Sequence, residues 1–177
     1  YDRAIDFFLK EIQKPNTQIS PEIVLSITYL LEEDNQRENI VSFLGRAIEL
    51  FPRNAEILNW LGYTYVQMGE RLDYAEELLV LANRLSPETI HILDSLAWLH
   101  YRKGEYEEAL RLMELPINSN IDNSEVAYHI GKILFKLGKI EDAKPYFILS
   151  RELNNDEYSS NKSGLILKEQ YGEKNEE

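Results

Sequence analysis

The sequence contains no cysteine, and proline and glycine are scarce, with 6 and 8 residues among 177. Without cysteine the chain can form neither a disulfide scaffold nor a thiolate metal site. Collagen-like and low-complexity chains need far more proline and glycine than this. The composition, 44% hydrophobic and 28% charged, is that of a folded globular chain. Because an absence of thiols suits reducing and oxidising compartments equally, it does not indicate a location.

Basic residues are the minority charge, with 19 Lys and Arg against 31 Asp and Glu and a net charge of -12. Contacts to phosphates need a basic face, so we expect no nucleic-acid partner. Long apolar runs are also missing, since stretches such as 130–137 are interrupted by lysine. None approaches the roughly 20 residues that a membrane helix requires. We therefore expect no direct membrane insertion by this segment.

Small residues recur along the chain at a nearly constant interval. The spacings are 35 and 34 residues in two series and 34 and 34 in the third. The three series are Gly69, Gly104 and Gly138; Gly62, Ala97 and Gly131; and Ala75, Ala109 and Ala143. A fixed period of this length is typical of a helical repeat array.

Each period has the pattern of two amphipathic helices. In one period the apolar positions follow the spacing i, i+3, i+4 and i+7 in both halves: Leu58, Leu61, Gly62 and Tyr65, then Ala75, Leu78, Leu79 and Ala82. A turn glycine that adopts the left-handed conformation ends the first helix and makes the pair antiparallel. The small residues inside the helices allow the two backbones to approach closely. Of the prolines, Pro116 should stop a helix near Leu115, whereas Pro145 should bend its helix without breaking it.

The segments NWLGYTYVQMG, SLAWLHYRKGEYEEAL and HIGKILFKLGKIEDAKPYF resemble the tetratricopeptide repeat (TPR) family at its small, aromatic, turn-glycine and alanine positions. The resemblance implies an all-α fold, a right-handed superhelical solenoid of antiparallel helix pairs whose inner surface is lined mainly by first helices. We expect one array over residues 1–171 and a disordered tail at 172–177. Its parts are the second helix of a partial repeat at 1–16, repeats at about 21–54, 55–89, 90–123 and 124–157, and a capping helix at about 158–171. Since the helix Tyr1–Gln13 has no partner helix, we also expect further repeats upstream.

Catalytic chemistry has little support in the sequence. His91 and Asp94 share a helical face, but no third ligand accompanies them, and adding Ser95 gives side chains that diverge along one helix. His100 follows the core spacing and is interpreted as a buried, satisfied histidine. We expect no catalytic site, no cofactor and no metal.

The residues left on first helices after the core positions are removed form the predicted binding groove. They are Leu25, Tyr29, Glu56, Asn59, Tyr63, His91, Asp94, Trp98, Tyr101, Tyr128, Lys132, Phe135 and Lys136. Aromatic rings beside amide and charged groups suit an extended or helical peptide. Alternatively, Tyr63 and Trp98 pack sideways against the neighbouring first helix. Because Lys132 and Lys136 lie toward the C-terminal side, we expect a bound segment to place an acidic or carboxylate end there.

The leading hypothesis is a non-enzymatic adaptor that binds a peptide or helix of a partner protein. The alternatives are a self-associating array that pairs through the helix Tyr1–Gln13, and a regulatory repeat domain of a larger protein. A lysine, arginine and asparagine clamp for chaperone tails is disfavoured, since Glu22, Leu25, Glu56 and Tyr63 occupy inner positions of the first two full repeats. Likeness to repeats of bacterial envelope lipoproteins favours the periplasmic side of the envelope, with the cytoplasm as the alternative.

Overall fold

The structure is a computed structural model that describes residue 10 and residues 19–33 and 36–172. This part of the chain contains ten helices and no strand. The helices are α1 Pro21–Glu33, α2 Arg37–Leu50, α3 Ala55–Met68, α4 Leu72–Leu85, α5 Ile90–Lys103, α6 Tyr106–Leu112, α7 Glu114–Ile117, α8 Ser124–Lys136, α9 Ile140–Leu153 and α10 Glu157–Tyr171. Apart from Lys10 and Gly172, the predicted partial repeat at 1–16 and tail at 172–177 lie outside the described residues.

Side-chain caps define where several helices begin. The Asn54 side chain accepts a hydrogen bond from the Ile57 amide at 3.0 Å, which places the start of α3 at Ala55. Asn123 caps α8 in the same way through the amides of Glu125 and Val126, and Asp156 caps α10. Each cap satisfies amides that have no partner within the helix. The first helices thus begin at Pro21, Ala55, Ile90 and Ser124.

Turn glycines end the first helices in the left-handed conformation. Gly69, Gly104 and Gly138 have φ values of 72°, 83° and 75°. The residue after each glycine donates its amide to a carbonyl five residues back, as Glu105 does to His100 at 2.9 Å. This arrangement satisfies the last carbonyls of the helix and reverses the chain.

Two buried glycines mark where paired helices come closest. A Cβ atom on Gly62 of α3 would lie 2.7 Å from Cγ of Leu79 in α4. A Cβ atom on Gly131 of α8 would lie 2.7 Å from Cε1 of Phe147 in α9. At both positions a larger residue therefore requires the contacting side chain or its helix to shift.

The two prolines act differently. α6 already ends at Leu112, three residues before the predicted stop, and Pro116 lies in the separate short helix α7. Proline cannot donate to the carbonyl four residues back, so the regular ladder fails there. The Met113 amide instead approaches the carbonyls of both Ala109 and Leu110. Pro145 lies inside α9, which continues unbroken from Ile140 to Leu153.

The chain divides into two compact units, Tyr1–Ser95 and Leu96–Glu177, with the boundary inside α5. In the first unit, the largest fully buried side chains include Phe43, Leu61 and Leu79. In the second, a core cluster is centred on Ile130, Phe147 and Leu167. Each unit therefore has its own apolar core, built from the inner faces of paired helices.

Candidate functional site

Aromatic rings of three helices meet on the second unit, and we call Trp98, Tyr101, Tyr128, His129 and Tyr158 the aromatic cluster. The indole of Trp98 lies parallel to the ring of Tyr101, with centroids 4.4 Å apart and an interplanar angle of 4°. The His129 ring stacks on the same indole at 3.9 Å and 14°. Tyr101 is one helical turn from Trp98 on α5, whereas His129 belongs to α8. These ring contacts hold the partly buried indole in one orientation.

The cluster extends to the capping helix through two tyrosines. Tyr128 of α8 and Tyr158 of α10 form a T-shaped pair with centroids 6.5 Å apart. Tyr128 is 7% exposed and Tyr158 is 64% exposed, so the pair leads from the core to the surface. Burial raises the pKa of Tyr101 to about 12 and raises the pKa of Tyr128 as well. The phenols of Tyr101 and Tyr128 therefore stay neutral hydrogen-bond donors at physiological pH.

Three lysines, which we call the lysine triad, border this cluster: Lys132, Lys136 and Lys162. The Lys132 ammonium lies 5.9 Å from the centroid of the Tyr128 ring, and the Lys162 ammonium lies 5.5 Å from that of Tyr158. Burial, followed by the charges of Lys136 and Lys162, lowers the pKa of Lys132. Within residues 19–33 and 36–172, none of the three forms an ion pair with a carboxylate.

Phe135 is the remaining predicted groove residue of the second unit. Its ring is half-buried and meets Phe147 of the core in a T-shaped contact with centroids 6.4 Å apart. It therefore connects the surface of α8 to the packed interior.

In the first unit, charges on successive first helices pair with each other. The Nε2 atom of His91 lies 2.9 Å from both carboxylate oxygens of Glu56. Tyr29, 58% exposed, meets Trp60 in an edge contact with centroids 5.0 Å apart. Leu25 and Tyr63 are half-buried. This surface has aromatic rings, but its Glu56 and His91 side chains already contact each other.

Three predicted groove residues are buried in the structure. Asn59, Asp94 and Tyr128 occupy equivalent repeat positions, spaced by 35 and 34 residues, and are 7%, 5% and 7% exposed. Tyr128 is covered because rings of α5, α9 and α10 surround it. These positions therefore offer a ligand little surface, contrary to the expectation that they face an open groove. The Asn59 Oδ1 atom has no hydrogen-bond partner in the described part of the chain.

The histidines do not form a metal site. His91 pairs with Glu56, and the largely buried His100 contacts a carboxylate oxygen of Glu105 through Nδ1 at 2.5 Å. His129 is 2% exposed and stacks on Trp98. Among the residues that the structure describes, no group of three or more His, Asp or Glu side chains could hold a metal ion.

Tyr158 and Lys162 are surface residues that sequence reasoning missed, because their helix was interpreted only as a cover for the last repeat. The cap Asp156 follows the cap Asn123 by 33 residues, so α10 begins where the first helix of a further repeat would begin. That spacing would have placed both residues beside α8.

Comparisons with known proteins support the repeat assignment. A family model described as Anaphase-promoting complex, cyclosome, subunit 3 matches residues 70–147. A TPR repeat-containing protein of Pseudomonas aeruginosa is 36% identical over 103 residues, which are 58% of this chain and 17% of that protein. Another from Methanocaldococcus jannaschii is 26% identical over 133 residues, 75% of this chain and 23% of that protein. These matches support a protein of the tetratricopeptide repeat family. The chain spans less than a quarter of either relative's length.

Solved structures agree with this TPR fold. A structure of MamA AMB-1 aligns with a TM-score of 0.61 and 21% identity and covers 87% of this chain and 89% of that one. A structure of MamA MSR-1 gives a TM-score of 0.59 and 22% identity, with 87% of both chains covered. The predicted fold class of the TPR chain is confirmed. No helix in the described ranges is long and apolar enough to cross a membrane.

Proposed function

We propose that this TPR chain is a non-enzymatic adaptor that binds a peptide or helix of a partner protein through its first helices. The TPR relatives indicate a scaffold for protein interaction. The observation that supports a binding surface here is the aromatic cluster, in which rings of α5, α8 and α10 are in continuous contact. It leads from the buried Tyr128 to the exposed Tyr158.

Fixed aromatic rings are suited to binding because they lose little conformational freedom when a ligand arrives. The ring of Trp98 is already stacked between Tyr101 and His129. A ligand side chain that packs on this cluster would bury apolar area on a surface that is ordered beforehand. The phenol groups of Tyr101 and Tyr158 add hydrogen-bonding groups at its border.

The first unit supplies a second set of candidate contacts. Leu25, Tyr29, Glu56, Tyr63 and His91 remain at least partly accessible. Because Glu56 and His91 already pair, a ligand here would compete with an existing contact. We therefore assign the principal contacts to Trp98, Tyr101, Lys132 and Lys136 in the second unit.

Site-specific photo-crosslinking in the full-length protein tests this proposal. A photoreactive phenylalanine analogue at Tyr158 should crosslink a partner, whereas the same analogue at Glu107, an exposed residue of the second helix α6, should not. The crosslinked segment identifies the ligand, and its affinity is then measured for the parent protein and for Trp98→Ala. Equal crosslinking at both positions, or unchanged affinity of Trp98→Ala, would rule out the aromatic cluster as the binding surface.

Self-association is the second candidate, and exposed apolar residues of α1 favour it. Ile23, Tyr29 and Leu30 are 39%, 58% and 44% exposed on this helix. The predicted self-pairing helix Tyr1–Gln13 lies, apart from Lys10, outside the described residues. Light scattering should show a dimer that Tyr29→Ser with Leu30→Ser converts to a monomer. A parent protein that is monomeric at all concentrations excludes this candidate.

A further inference from the structure

We propose that the lysine triad binds the carboxylates of an acidic peptide segment while a neighbouring apolar side chain of that segment packs on the aromatic cluster. This inference rests on the proposed function, because it specifies the chemistry of the partner at the same surface. It also extends the predicted groove to Lys162 and Tyr158 of α10, which were not among the predicted residues.

The geometry brings the three cations to one place. Lys132 and Lys136 are one turn apart on α8, and Lys162 is on α10. The two helices meet through Tyr128 and Tyr158, and each ring has a lysine ammonium within 6 Å of its centroid, at 5.9 and 5.5 Å. The cations and the rings therefore form one continuous surface of the second unit.

The charge environment favours an anion at this place. Two arginines have carboxylate partners, Arg111 in Glu108 and Arg37 in Glu32, whereas the exposed Lys139 and Lys168 have none in the described part of the chain. The lysine triad has none among residues 19–33 and 36–172. Burial and two like charges lower the pKa of Lys132, so keeping its ammonium charged has a cost in free energy. A bound carboxylate would offset this cost and raise the pKa of Lys132 again.

A peptide fits this surface better than a nucleic acid does. The chain carries a net charge of -12, which would repel a phosphate backbone beyond this one patch, whereas a peptide can limit its carboxylates to the residues that reach the lysine triad. The exposed ring of Tyr158, beside Lys162, can pack against an apolar side chain next to the carboxylates. An acidic peptide with one aromatic or aliphatic residue supplies both features.

Two matched synthetic peptides are suitable probes. Both contain one phenylalanine and one leucine at the same positions, and the remaining residues are mainly glutamate in one and glutamine in the other. Binding to the full chain is measured by titration calorimetry, and the contacted residues by amide chemical shifts. We expect the glutamate peptide to bind about tenfold more tightly, to weaken as salt rises, and to shift Lys132, Lys136 and Lys162.

A matched pair of variants separates this site from general attraction to lysine. Lys136→Gln with Lys162→Gln removes two exposed cations of the triad, and Lys139→Gln with Lys168→Gln removes two exposed cations elsewhere in the same unit. The first variant should weaken the glutamate peptide about fivefold or more, and the second should leave it within about twofold. All four changes are at exposed positions, so circular dichroism should show folded protein in both cases.

Several results would overturn the inference. These are absence of binding by both peptides, equal affinity of the glutamate and glutamine peptides, or equal loss in the two variants. Tighter binding of a short single-stranded DNA with the same dependence on Lys136 and Lys162 would replace the peptide by a nucleic acid. If Trp98→Ala weakens the identified partner while the lysine variants do not, the adaptor proposal stands and only the acidic chemistry fails.

Discussion

The two units of this TPR chain present the same kind of helix face with different chemistry. In the first, Glu56 and His91 occupy equivalent positions 35 residues apart, and Nε2 of His91 lies 2.9 Å from the Glu56 carboxylate. In the second, Lys132 occupies the position that Tyr63 and Trp98 hold in earlier repeats, and the charged groups that act on it are two other lysines, Lys136 and Lys162. The repeat thus fixes the position of a side chain, while the residue type at that position decides whether a group of opposite charge lies beside it.

Burial follows the repeat position more closely than it follows polarity. Asn59, Asp94 and Tyr128 are an amide, a carboxylate and a phenol at equivalent positions, and all three are buried. Counting aromatic or polar residues on first helices assigns them to a groove. Only the helices packed around them decide that they are covered.

The largest expected effect concerns the close helix approaches of the two units. Gly62→Ala should destabilise the fold by about 2 kcal/mol, because the new Cβ would meet Cγ of Leu79 and the backbone oxygen of Ala75 at 3.2 Å. Gly131→Ala should cost about 1 kcal/mol, since its nearest atoms all belong to the Phe147 ring. Urea unfolding measures both changes.

Gly45→Ala is the control for helix propensity in that comparison. Gly45 lies inside α2, and a Cβ atom on this residue would have no neighbouring atom within 4 Å, so alanine should stabilise by up to about 1 kcal/mol. If Gly62→Ala also stabilises, the helices of the first unit do not depend on close approach at that position.

Substitution of the two tryptophans should affect the affinity for an identified partner differently. Trp98→Ala should weaken binding at least about tenfold, or about 1.4 kcal/mol, because it removes the centre of the aromatic cluster. Trp60→Ala, in the first unit, should change it less than about threefold. Calorimetric titration of both variants, with melting curves to verify folding, makes the comparison, and the opposite ranking would move the binding surface to the first unit.

The free energy of unfolding at alkaline pH tests the burial of Tyr101 in the second unit, because burial raises the pKa of its phenol to about 12. A phenol whose pKa is raised on folding contributes stability that is complete below pH 10 and is lost as the pH rises through 12. After allowance for the half-exposed ring, the loss should be about 1 kcal/mol. Unfolding free energies measured across this range should fall less steeply in Tyr101→Phe than in the parent protein, and identical slopes would show that Tyr101 ionises normally.

The smallest effect is expected for the ion pair of the first unit. His91 and Glu56 are 52% and 40% exposed, so Glu56→Gln should destabilise by only about 0.3 kcal/mol, and less at high salt. Melting temperatures at two salt concentrations test this, with the exposed Glu77→Gln as the control. A loss above about 1 kcal/mol would mean that the pair is structural and not a simple surface contact.

The period of 34 and 35 residues was enough to predict the all-α repeat fold. The period predicts this fold because each repeat meets three local requirements. These are apolar spacing within each helix, a glycine that can adopt the left-handed conformation, and small residues where helices pack closely. Gly104, with a φ of 83°, and Gly131, against the Phe147 ring, carry two of these requirements. The sequence did not predict that α6 ends at Leu112. The effect of Pro116 on the preceding turn depends on which carbonyls accept a hydrogen bond from the Met113 amide, and the sequence does not show this.

The candidate site was only partly predictable. Trp98, Tyr101, Lys132 and Lys136 were found because first-helix positions can be counted along the sequence. Tyr158 and Lys162 were missed because their helix carries a weaker repeat pattern, with serines at its buried positions.

The sequence by itself therefore determined the elements, because helix starts, turns and close contacts depend on residues a few positions apart in the chain. The tertiary structure alone decided that Trp98 stacks between Tyr101 and His129, that Tyr128 is covered, and that Lys132 lies near Lys162. Most of these relations join residues about 30 positions apart. They depend on how neighbouring helices pack, because burial and charge pairing depend on what surrounds a side chain in space.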